Sequence, residues 1–600
     1  EIRDLKVGNP MNKTVSGGQR KRLNIALELI REPAVLFVDE PTSGLSSRDS
    51  ENIMDLLKEL ALKGKLVFVV IHQPSSAIFK MFDRLLLMDV GGYPVYYGNP
   101  VESVVYFKTI VDHANAGESE CIECGNVNPE QVFDILESRL VDEQGRATSE
   151  RRISPKEWNI FFKRSQPPTP ETEIEPSELP HSGFKKPGYW GQFQVFFIRD
   201  LLSKLSNRQY LAINLLEAPL LALLMGYALR YTQEGPYTLF HNLNLPAYLL
   251  ICVIASLFFG LTVSAEEIIR DRKIRRREKF LHLSKGSYLF SKIAILFTIS
   301  AIQSACFVGV GHTMMGLHGL LADDFLILFS VSCFANLLGL NISATFNSAI
   351  TIYIIIPILI IPQLLLSGVL VRFDHLNSSL RPSDNRVPLT ANLMASRWAF
   401  EAMAVNRFMN NEAEKSVFDL DREISESNFM VNYWIPQMEA LVVRYQESGN
   451  QEERGWMEQS LKNELVRLNE SGNFQVFRSP EKLSNQGISE AEMEEIQVYL
   501  NQCRLVCNKR ENRVRQEKEQ VIRSLGESYT QRVMLATNEQ LSQLVLHKDE
   551  LTKIKLNDRF ELIRNFEPAY HMPDAGGFAK GGFYSPYKRF GNLALEVRWA

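Results

Sequence analysis

Three long stretches of the chain contain no Asp, Glu, Lys or Arg. They are Gly235–Ala265 (31 residues), Ile293–Ala322 (30 residues) and Phe325–Val371 (47 residues). A helix needs roughly 20 apolar residues to cross a hydrocarbon core about 30 Å thick. The pattern therefore predicts one membrane span in each of the first two stretches and two in the third, with a break at Ser343–Ser348.

A fifth predicted span precedes these at Leu211–Leu229, which is apolar apart from Glu217. A carboxylate is costly in lipid, so Glu217 should face protein or water. The alternative, buried helices of a soluble protein, is disfavoured because soluble cores rarely run 47 residues without a charge. We expect an integral membrane protein whose five spans cover residues 211–229, 245–265, 290–315, 325–343 and 350–371.

The overall composition conceals this division of the chain. Of the 600 residues 23% are charged, and the formal net charge is only −4. A balance so close to neutral gives no sign of a nucleic-acid-binding surface. Seven cysteines are too few for a disulfide scaffold.

Basic residues predict the orientation of the spans. The loop Glu266–Lys285 carries eight basic and four acidic residues, which the positive-inside tendency places in the cytoplasm. Arg199, Lys204 and Arg208 put the start of the first span on the same side. This orientation makes residues 373–600 a mostly helical extracytoplasmic segment. We expect the membrane to be the plasma (inner) membrane.

The first hundred residues carry a different pattern. The apolar runs Ala34–Glu40 and Lys65–Gln73 end in polar residues and are typical of buried parallel strands. Active groups of such sheets lie at the carboxyl ends of the strands. Before them, the turn Val15–Gln19 contains two glycines and precedes a helical pattern, Arg20–Ile30. A turn of this kind offers free backbone N–H groups to phosphate.

Three motifs in this region resemble those of ABC-transporter ATPases. VSGGQ resembles the signature motif, LFVDEPTSGLSS the Walker B motif with its D-loop, and VVIHQPSS the switch-histidine motif. The resemblance implies part of an α/β P-loop ATPase, with ATP and Mg²⁺ as cofactors. It implies that Asp39 holds the Mg²⁺, that Glu40 polarises the attacking water, and that His72 contacts the γ-phosphate and this water.

The same resemblance implies a partner. Ser16, Gly17, Gly18 and Gln19 would bind the γ-phosphate of the nucleotide held by the opposite subunit. Two ATPase domains would then face each other head to tail. The expected partner is a second ABC half-transporter, in a homodimer.

Two features depart from the family pattern. No G-x-x-x-x-G-K-[ST] sequence occurs in the chain, so we expect the ATPase domain to begin upstream, the chain to be cut at both ends, and these residues alone to be inactive. The D-loop reads Ser43-Gly44-Leu45-Ser46, where the family has Asp at the last position. Ser46 cannot supply a carboxylate across the dimer, which leaves communication between the two ATP sites in doubt. A degenerate, inactive ATPase is therefore one alternative.

The membrane half narrows the resemblance. An ATPase part followed by a membrane part is similar to the G subfamily, whose membrane domain is of the ABC-2 exporter type. The loop after Glu266 matches the subfamily's coupling loop, and Ser396–Phe408 its re-entrant-type segment. Tyr189–Tyr210 is expected to be an amphipathic helix at the membrane interface. The predicted domains are residues 1–140 (ATPase part), 141–188 (linker), 189–372 (membrane domain) and 373–600.

The resemblance implies an ATP-driven exporter of a lipidic or amphipathic substrate. The long charged segment 411–570 exceeds the family's external domain and favours an alternative, in which the ATPase drives this segment or a partner without transport. Cys503 and Cys507 are four residues apart and could be exposed thiols, a strained bridge or two unlinked cysteines. Cys121 and Cys124, with His113 nearby, could hold a metal, although a zinc site normally has four ligands.

Overall fold

The computed structural model forms two compact units, residues 1–186 and 187–600, which are called the N-terminal and C-terminal units below. The residues that the structure describes are 8–9, 12–13, 15–30, 32–113, 115–118, 127–141, 144, 146–166, 186–232, 235–377, 379–380, 387–470, 474, 476–477, 487–557, 560–571, 582–590 and 593–599.

The N-terminal unit alternates helices and short strands. Its helices are α1 (Gly17–Leu29), α2 (Ser47–Leu62), α3 (Ser76–Lys80), α4 (Pro100–Ile110), α5 (Glu130–Leu136) and α6 (Pro155–Ser165). Its strands are β1 (Gly8–Asn9), β2 (Asn12–Lys13), β3 (Val35–Asp39), β4 (Leu66–Val70), β5 (Leu85–Asp89), β6 (Tyr93–Gly98), β7 (Arg139–Val141) and β8 (Ala147–Arg151).

The two predicted strands are confirmed as β3 and β4, but the expectation that they are buried is wrong for one face of the pair, on which Phe37 is 75% and Phe68 48% exposed. They pair in parallel, with Phe37 opposite Phe68, so their carboxyl ends lie at the same edge. Helix α2 covers one face with an apolar stripe that includes the fully buried Ile53 and Leu57. Trp158 of α6 is also fully buried, so part of the segment predicted as a linker is folded into this unit.

The C-terminal unit is mostly helical. Its helices are α7 (Tyr189–Ser206), α8 (Arg208–Leu229), α9 (Leu245–Ser264), α10 (Glu267–Glu278), α11 (Lys285–Met315), α12 (Leu321–Thr345), α13 (Ala349–Leu365), α14 (Leu389–Asn392), α15 (Ala395–Met409), α16 (Phe418–Phe429), α17 (Ile435–Glu447), α18 (Gln451–Glu470), α19 (Glu490–Leu525), α20 (Glu527–Ala536) and α21 (Glu539–Leu546). Two antiparallel hairpins follow, β9 (Ile554–Leu556) with β10 (Leu562–Arg564), and β11 (Tyr587–Phe590) with β12 (Leu593–Glu596).

Four helices in the described part of the chain are long and apolar enough to cross a membrane: α8, α9 (continuing into α10), α11 and α12. The fifth predicted span corresponds to the shorter apolar helix α13. The predicted break is present, because α12 ends at Thr345 and α13 begins at Ala349. An apolar helical membrane domain therefore occupies the region that the charge pattern predicted.

Glycines bring two of the membrane helices into close contact. A Cβ on Gly260 of α9 would lie 2.5 Å from the Ser332 carbonyl oxygen of α12, and one on Gly339 would lie 2.0 Å from Ser264 Oγ. Small residues at such positions let helix backbones approach in an apolar environment. Any larger residue at these positions would push α9 and α12 apart.

The segment beyond the membrane helices has a core of its own. Helices α17, α18 and α19 surround buried side chains such as Met438, Leu461 and Leu500. Cys503 and Cys507 on α19 are buried free thiols, which confirms the unlinked alternative and excludes both the bridge and the exposed thiols. The predicted helical character of the segment is confirmed, and the hairpins β9–β10 and β11–β12 are additions that the pattern did not indicate.

The end of the chain packs back onto the membrane domain. Asn538 Nδ2 donates hydrogen bonds of 2.8 Å to the carbonyls of Leu239 and Asn242, in the connection between α8 and α9. Leu541 and Val545 of α21 are buried in the same apolar core as α9 and α15. Helix α21 therefore belongs to the core of the membrane helices, whereas α17, α18 and α19 form the separate core described above.

Glu414 lies at this junction, among other side chains that can gain or lose a proton. The Tyr570 hydroxyl donates a hydrogen bond of 3.3 Å to Glu414 Oε1, and Asp421, paired with Lys518, lies on the neighbouring helix. Burial raises the pKa of Glu414 to about 7, and repulsion from Asp421 acts in the same direction, against the opposing effect of Lys518, the Tyr570 hydrogen bond and Lys548.

We expect stability to fall between pH 4.5 and 7 because of Glu414. The pKa of Glu414 is raised from 4.5 in the unfolded chain to about 7 in the folded protein. Between these values the folded state binds the Glu414 proton and the unfolded state does not, so the stabilisation that this proton provides is lost as pH rises through 7. Glu414→Gln should remove this dependence and stabilise the protein above pH 7 by on the order of 1–3 kcal/mol. Thermal unfolding followed from pH 4.5 to 8 measures the effect. The exposed Glu412 offers the control, because Glu412→Gln should retain the wild-type pH profile; identical profiles for the Glu414 variant and wild type would exclude the assignment.

Candidate functional site

The Gly-rich turn predicted to bind phosphate forms the beginning of α1. Ser16 caps the helix: its Oγ accepts a 3.2 Å hydrogen bond from the Gln19 backbone N–H, and Gln19 Oε1 accepts one of 2.9 Å from the Ser16 N–H. The N–H groups of Gly17 and Gly18 remain at the positive end of the helix dipole. A Cβ on Gly18 would lie 3.2 Å from Asp49 Cγ, so a side chain there would crowd the turn.

Asp39, Glu40 and His72 meet at one edge of the parallel pair. Asp39 ends β3, Glu40 follows it, and His72 follows β4 two residues after Val70. Glu40 Oε1 and His72 Nε2 are 3.1 Å apart, and both side chains are exposed, by 45% and 78%. The structure thus brings the two predicted catalytic side chains into hydrogen-bond distance.

The backbone of Glu40 is held in an unusual conformation. Its φ is +44°, in the left-handed region that non-glycine residues rarely adopt. The Glu40 N–H donates a 2.9 Å hydrogen bond to the Val70 carbonyl at the end of β4. Such conformations persist only where surrounding contacts enforce them, and they concentrate at functional sites.

Two residues of this site escaped the motif-based reasoning. Lys21 Nζ donates hydrogen bonds to the carbonyl oxygens of Glu40 (2.7 Å) and Ser43 (2.8 Å). Asp49 lies beside Gly18, 3.9 Å from Arg22. For Lys21, the signal in the sequence was the basic run Arg20–Arg22 that follows the turn, and such runs usually face solvent.

The departure at Ser46 has a structural explanation. Ser46 caps α2: its Oγ accepts a hydrogen bond from the Asp49 N–H (3.2 Å) and donates one to Asp49 Oδ2 (3.0 Å). Serine and aspartate are nearly equivalent as helix caps, so the capping role of the position is kept. A carboxylate is still present, one turn further along, on Asp49.

The residues present fit one part of an ATP site. A side chain on Gly18 would crowd Asp49, and the amides of the turn suit phosphate oxygens. The Asp39 carboxylate, at the edge of the sheet, is the oxygen donor that Mg²⁺ prefers. In the described part of the chain there is no cluster of three or more metal-ligating side chains, and Cys121 and Cys124 lie outside the described residues.

The C-terminal unit contains a cluster of six charged side chains, of which four are buried, Asp271 is half-buried and Arg270 is exposed. Three acids and three bases meet where α7, α10 and α11 converge: Asp200, Lys204, Glu267, Arg270, Asp271 and Lys292. Lys292 Nζ lies 2.7 Å from Asp200, 2.9 Å from Glu267 and 2.8 Å from Asp271. Lys292 and Glu267 are each 2% exposed. We name this set the charge cluster.

Helix α7 has one apolar face and one charged face, and the charged face is the one that packs against protein. The helix buries Asp200 and Lys204, whereas Trp190, Ile198 and Leu202 are exposed. Its exposed face is therefore apolar, and its buried charged residues join it to α10 and α11. Residues counted as cytoplasmic charges in the sequence are in part structural.

Buried ion pairs join helix α15 to α12 and to β11. Arg407 binds Asp324 of α12, whose carboxylate also lies 2.9 Å from His312 Nε2. Glu401 binds Lys588 of β11 at 2.6 Å, with both side chains fully buried. The predicted re-entrant-type segment is thus a helix almost wholly enclosed by protein.

Comparisons with known proteins agree with both halves of the chain. Families described as ABC-2 type transporter match residues 191–407 and 72–175, and the ABC transporter family matches residues 1–43. The first of these matches covers α7 to α15, and the last includes the turn at Ser16 and the Asp39–Glu40 pair.

Individual relatives come from animals and bacteria. The chain is 27% identical over 436 residues to the mouse broad substrate specificity ATP-binding cassette transporter ABCG2, covering 69% of this chain and 64% of that protein. It is 29% identical over 373 residues to the Drosophila melanogaster protein white, covering 59% of this chain and 51% of that protein. It is 28% identical over 408 residues to the Mycobacterium tuberculosis ABC transporter ATP-binding/permease protein Rv1747, covering 65% of this chain and 41% of that protein. Each match spans less than two thirds of the relative's own length.

Proposed function

We propose that this chain, a G-subfamily-like ABC transporter with an ABC-2 type membrane domain, couples ATP binding and hydrolysis to the outward movement of a lipidic or amphipathic substrate. The observation that carries the proposal is the Glu40–His72 pair beside Asp39, at the carboxyl ends of two parallel strands, in a chain that also contains long apolar helices. The protein would act as a homodimer in the plasma (inner) membrane, with its ATPase part in the cytoplasm and residues 373–600 outside.

Each site residue has a proposed role. Bound ATP and Mg²⁺ would supply the reactive γ-phosphoryl group and the charge that stabilises its transfer. Asp39 would hold the metal, Glu40 would orient and polarise the attacking water, and His72, 3.1 Å from Glu40, would contact that water and the γ-phosphate. Ser16, Gly17, Gly18 and Gln19 would bind the γ-phosphate of the nucleotide on the opposite subunit.

The charge cluster supports the coupling part of the proposal. Its ion pairs join α10, the predicted coupling loop, to α7 and α11. A displacement of α10 would therefore be passed to α11, an apolar helix of 31 residues. This connection is what a transporter needs in order to convert movement of the ATPase into movement of the membrane helices.

A second function is favoured by the segment beyond the membrane helices. Its close attachment through Asn538 and Lys588 would let the ATPase drive that segment, or a partner bound to it, without transport. The alternative of an inactive ATPase loses part of its motivation, because Ser46 keeps the helix cap and Asp49 places a carboxylate close by.

Transport by the full-length protein in proteoliposomes distinguishes these functions. With ATP added on the side of the ATPase part, we expect fluorescent phospholipid or amphipathic dye analogues to cross the bilayer in wild-type vesicles and not in Glu40→Gln vesicles. Hydrolysis without translocation of any probe would support force transmission instead. Absence of hydrolysis would support the degenerate ATPase.

A further inference from the structure

Lys21 joins the phosphate-binding turn to the loop that carries Glu40. It lies in the second turn of α1, and its ammonium donates to two carbonyl oxygens, Glu40 O at 2.7 Å and Ser43 O at 2.8 Å. A lysine ammonium has three donors and no acceptor, so two of its three hydrogens are committed to this loop. The side chain thus bridges segments about 20 residues apart in the sequence.

These contacts fix the peptide group of the predicted catalytic residue from both sides. The Glu40 N–H is bound by the Val70 carbonyl and its carbonyl by Lys21. Because φ at Glu40 is +44°, the conformation depends on such contacts. The direction of the Glu40 carboxylate, 3.1 Å from His72, therefore depends on the position of Lys21.

Lys21 also moves with the turn that precedes it. An α-helix behaves as a rigid element over one or two turns, so a shift of Ser16–Gln19 on phosphate binding would carry Lys21 with it. Asp49 supplies a second link between the same parts, since it lies beside Gly18 and is bound to Ser46. We therefore expect the turn Ser16–Gln19 and the loop Glu40–Ser46 to move together.

We propose that Lys21 is a positioning residue that couples the two ATP sites of the dimer. This rests on the proposed function, in which each subunit contributes to both ATP sites. Its Ser16–Gln19 turn binds the nucleotide held by the opposite subunit, and its Glu40 acts on the nucleotide held by the same subunit. Phosphate binding at one site would then set the direction of the carboxylate at the second. The coupling runs within one subunit and needs no carboxylate at Ser46.

The test compares Lys21→Met, Lys21→Arg and the control Lys63→Met in the full-length transporter. Lys63 is an exposed lysine of the same unit whose ion pair with Glu59 is local. For Lys21→Met we expect kcat to fall about 5- to 100-fold and the Hill coefficient for ATP to fall to about 1, the size of typical coupling between sites. Affinity for a fluorescent ATP analogue should change by less than about twofold, because the Lys21 ammonium is bound to the Glu40 and Ser43 carbonyl oxygens. Lys21→Arg, which keeps the donors, should recover most of the rate and cooperativity.

Three results would overturn the proposal. They are a wild-type kcat and Hill coefficient in Lys21→Met, a loss that Lys63→Met reproduces, and a loss of rate that parallels a loss of ATP binding and of thermal stability. If wild-type protein does not hydrolyse ATP at all, the proposed function fails together with this inference. If wild type hydrolyses ATP, Glu40→Gln does not, and Lys21→Met is unaffected, only the role of Lys21 is lost.

Discussion

Replacing Glu40 with glutamine is expected to lower ATP hydrolysis by the full-length protein by about 10²- to 10⁴-fold, the usual contribution of a positioned general base. Glutamine has the same shape, so the hydrogen bonds of its backbone to Val70 and Lys21 should remain. ATP binding should persist while turnover stops, which would trap ATP in a closed dimer. Phosphate release measures the rate, and nucleotide retained after gel filtration measures the trapped state.

A matched change elsewhere in the same unit provides the control. Glu51 is an exposed residue of α2, and Glu51→Gln should hydrolyse ATP at the wild-type rate. Equal rates for Glu40→Gln and wild type would remove Glu40 from the mechanism. A Glu40 variant that neither hydrolyses nor retains ATP would show that the substitution damages nucleotide binding, contrary to the role proposed here.

The features predicted best from the sequence are those set by local pattern. Charge-free stretches identified the membrane helices because hydrocarbon tolerates few ionised groups, whatever the surrounding fold. The strands β3 and β4 followed from β-branched runs of the right length, and Asp39, Glu40 and His72 from motifs at their ends. Their common edge is a direct consequence of parallel pairing.

The features that escaped prediction depend on contacts between distant segments. Nothing local distinguishes Lys21 from the two arginines beside it; only the fold brings its ammonium to the Glu40 carbonyl. Asn538 contacts residues about 300 positions earlier in the chain. A polar residue of this kind is indistinguishable, in one sequence, from one that faces solvent.

The charge cluster is a further example of contacts between distant segments that one sequence does not reveal. Lys204 was taken as evidence that the first span starts in the cytoplasm, and Glu267 lies in the loop predicted on the same side; both side chains are buried. The positive-inside tendency concerns the number of basic residues near the ends of spans, whether or not their side chains face water. Whether a charge is a topological signal or a structural ion pair depends on the residues opposite, which here belong to three different helices.

Lys292→Met is expected to destabilise the C-terminal unit by about 3–5 kcal/mol, the usual cost of removing one partner from a buried ion-pair network. Lys292, which is 2% exposed, touches three carboxylates, and its loss would leave three acids facing two bases. Methionine is similar in length, so the loss of charge dominates over the loss of volume. Thermal unfolding in detergent, followed by the fraction that remains monodisperse, measures the effect. The exposed Lys285, in the first turn of the same helix, offers the matched control, because Lys285→Met should unfold at the wild-type temperature.

A second variant separates charge imbalance from other damage caused by Lys292→Met. Combining it with Asp200→Asn restores two acids against two bases, so the double variant should recover a substantial part of the lost stability. A double variant less stable than Lys292→Met alone would contradict the charge argument, because it would show that each ion pair contributes independently. A wild-type unfolding temperature for Lys292→Met would exclude the cluster as a structural connection between α7, α10 and α11. Recovery of stability without recovery of ATP-driven transport would instead assign the cluster a direct part in coupling, since the repaired fold would hold α10 without the lysine that ties it to α11.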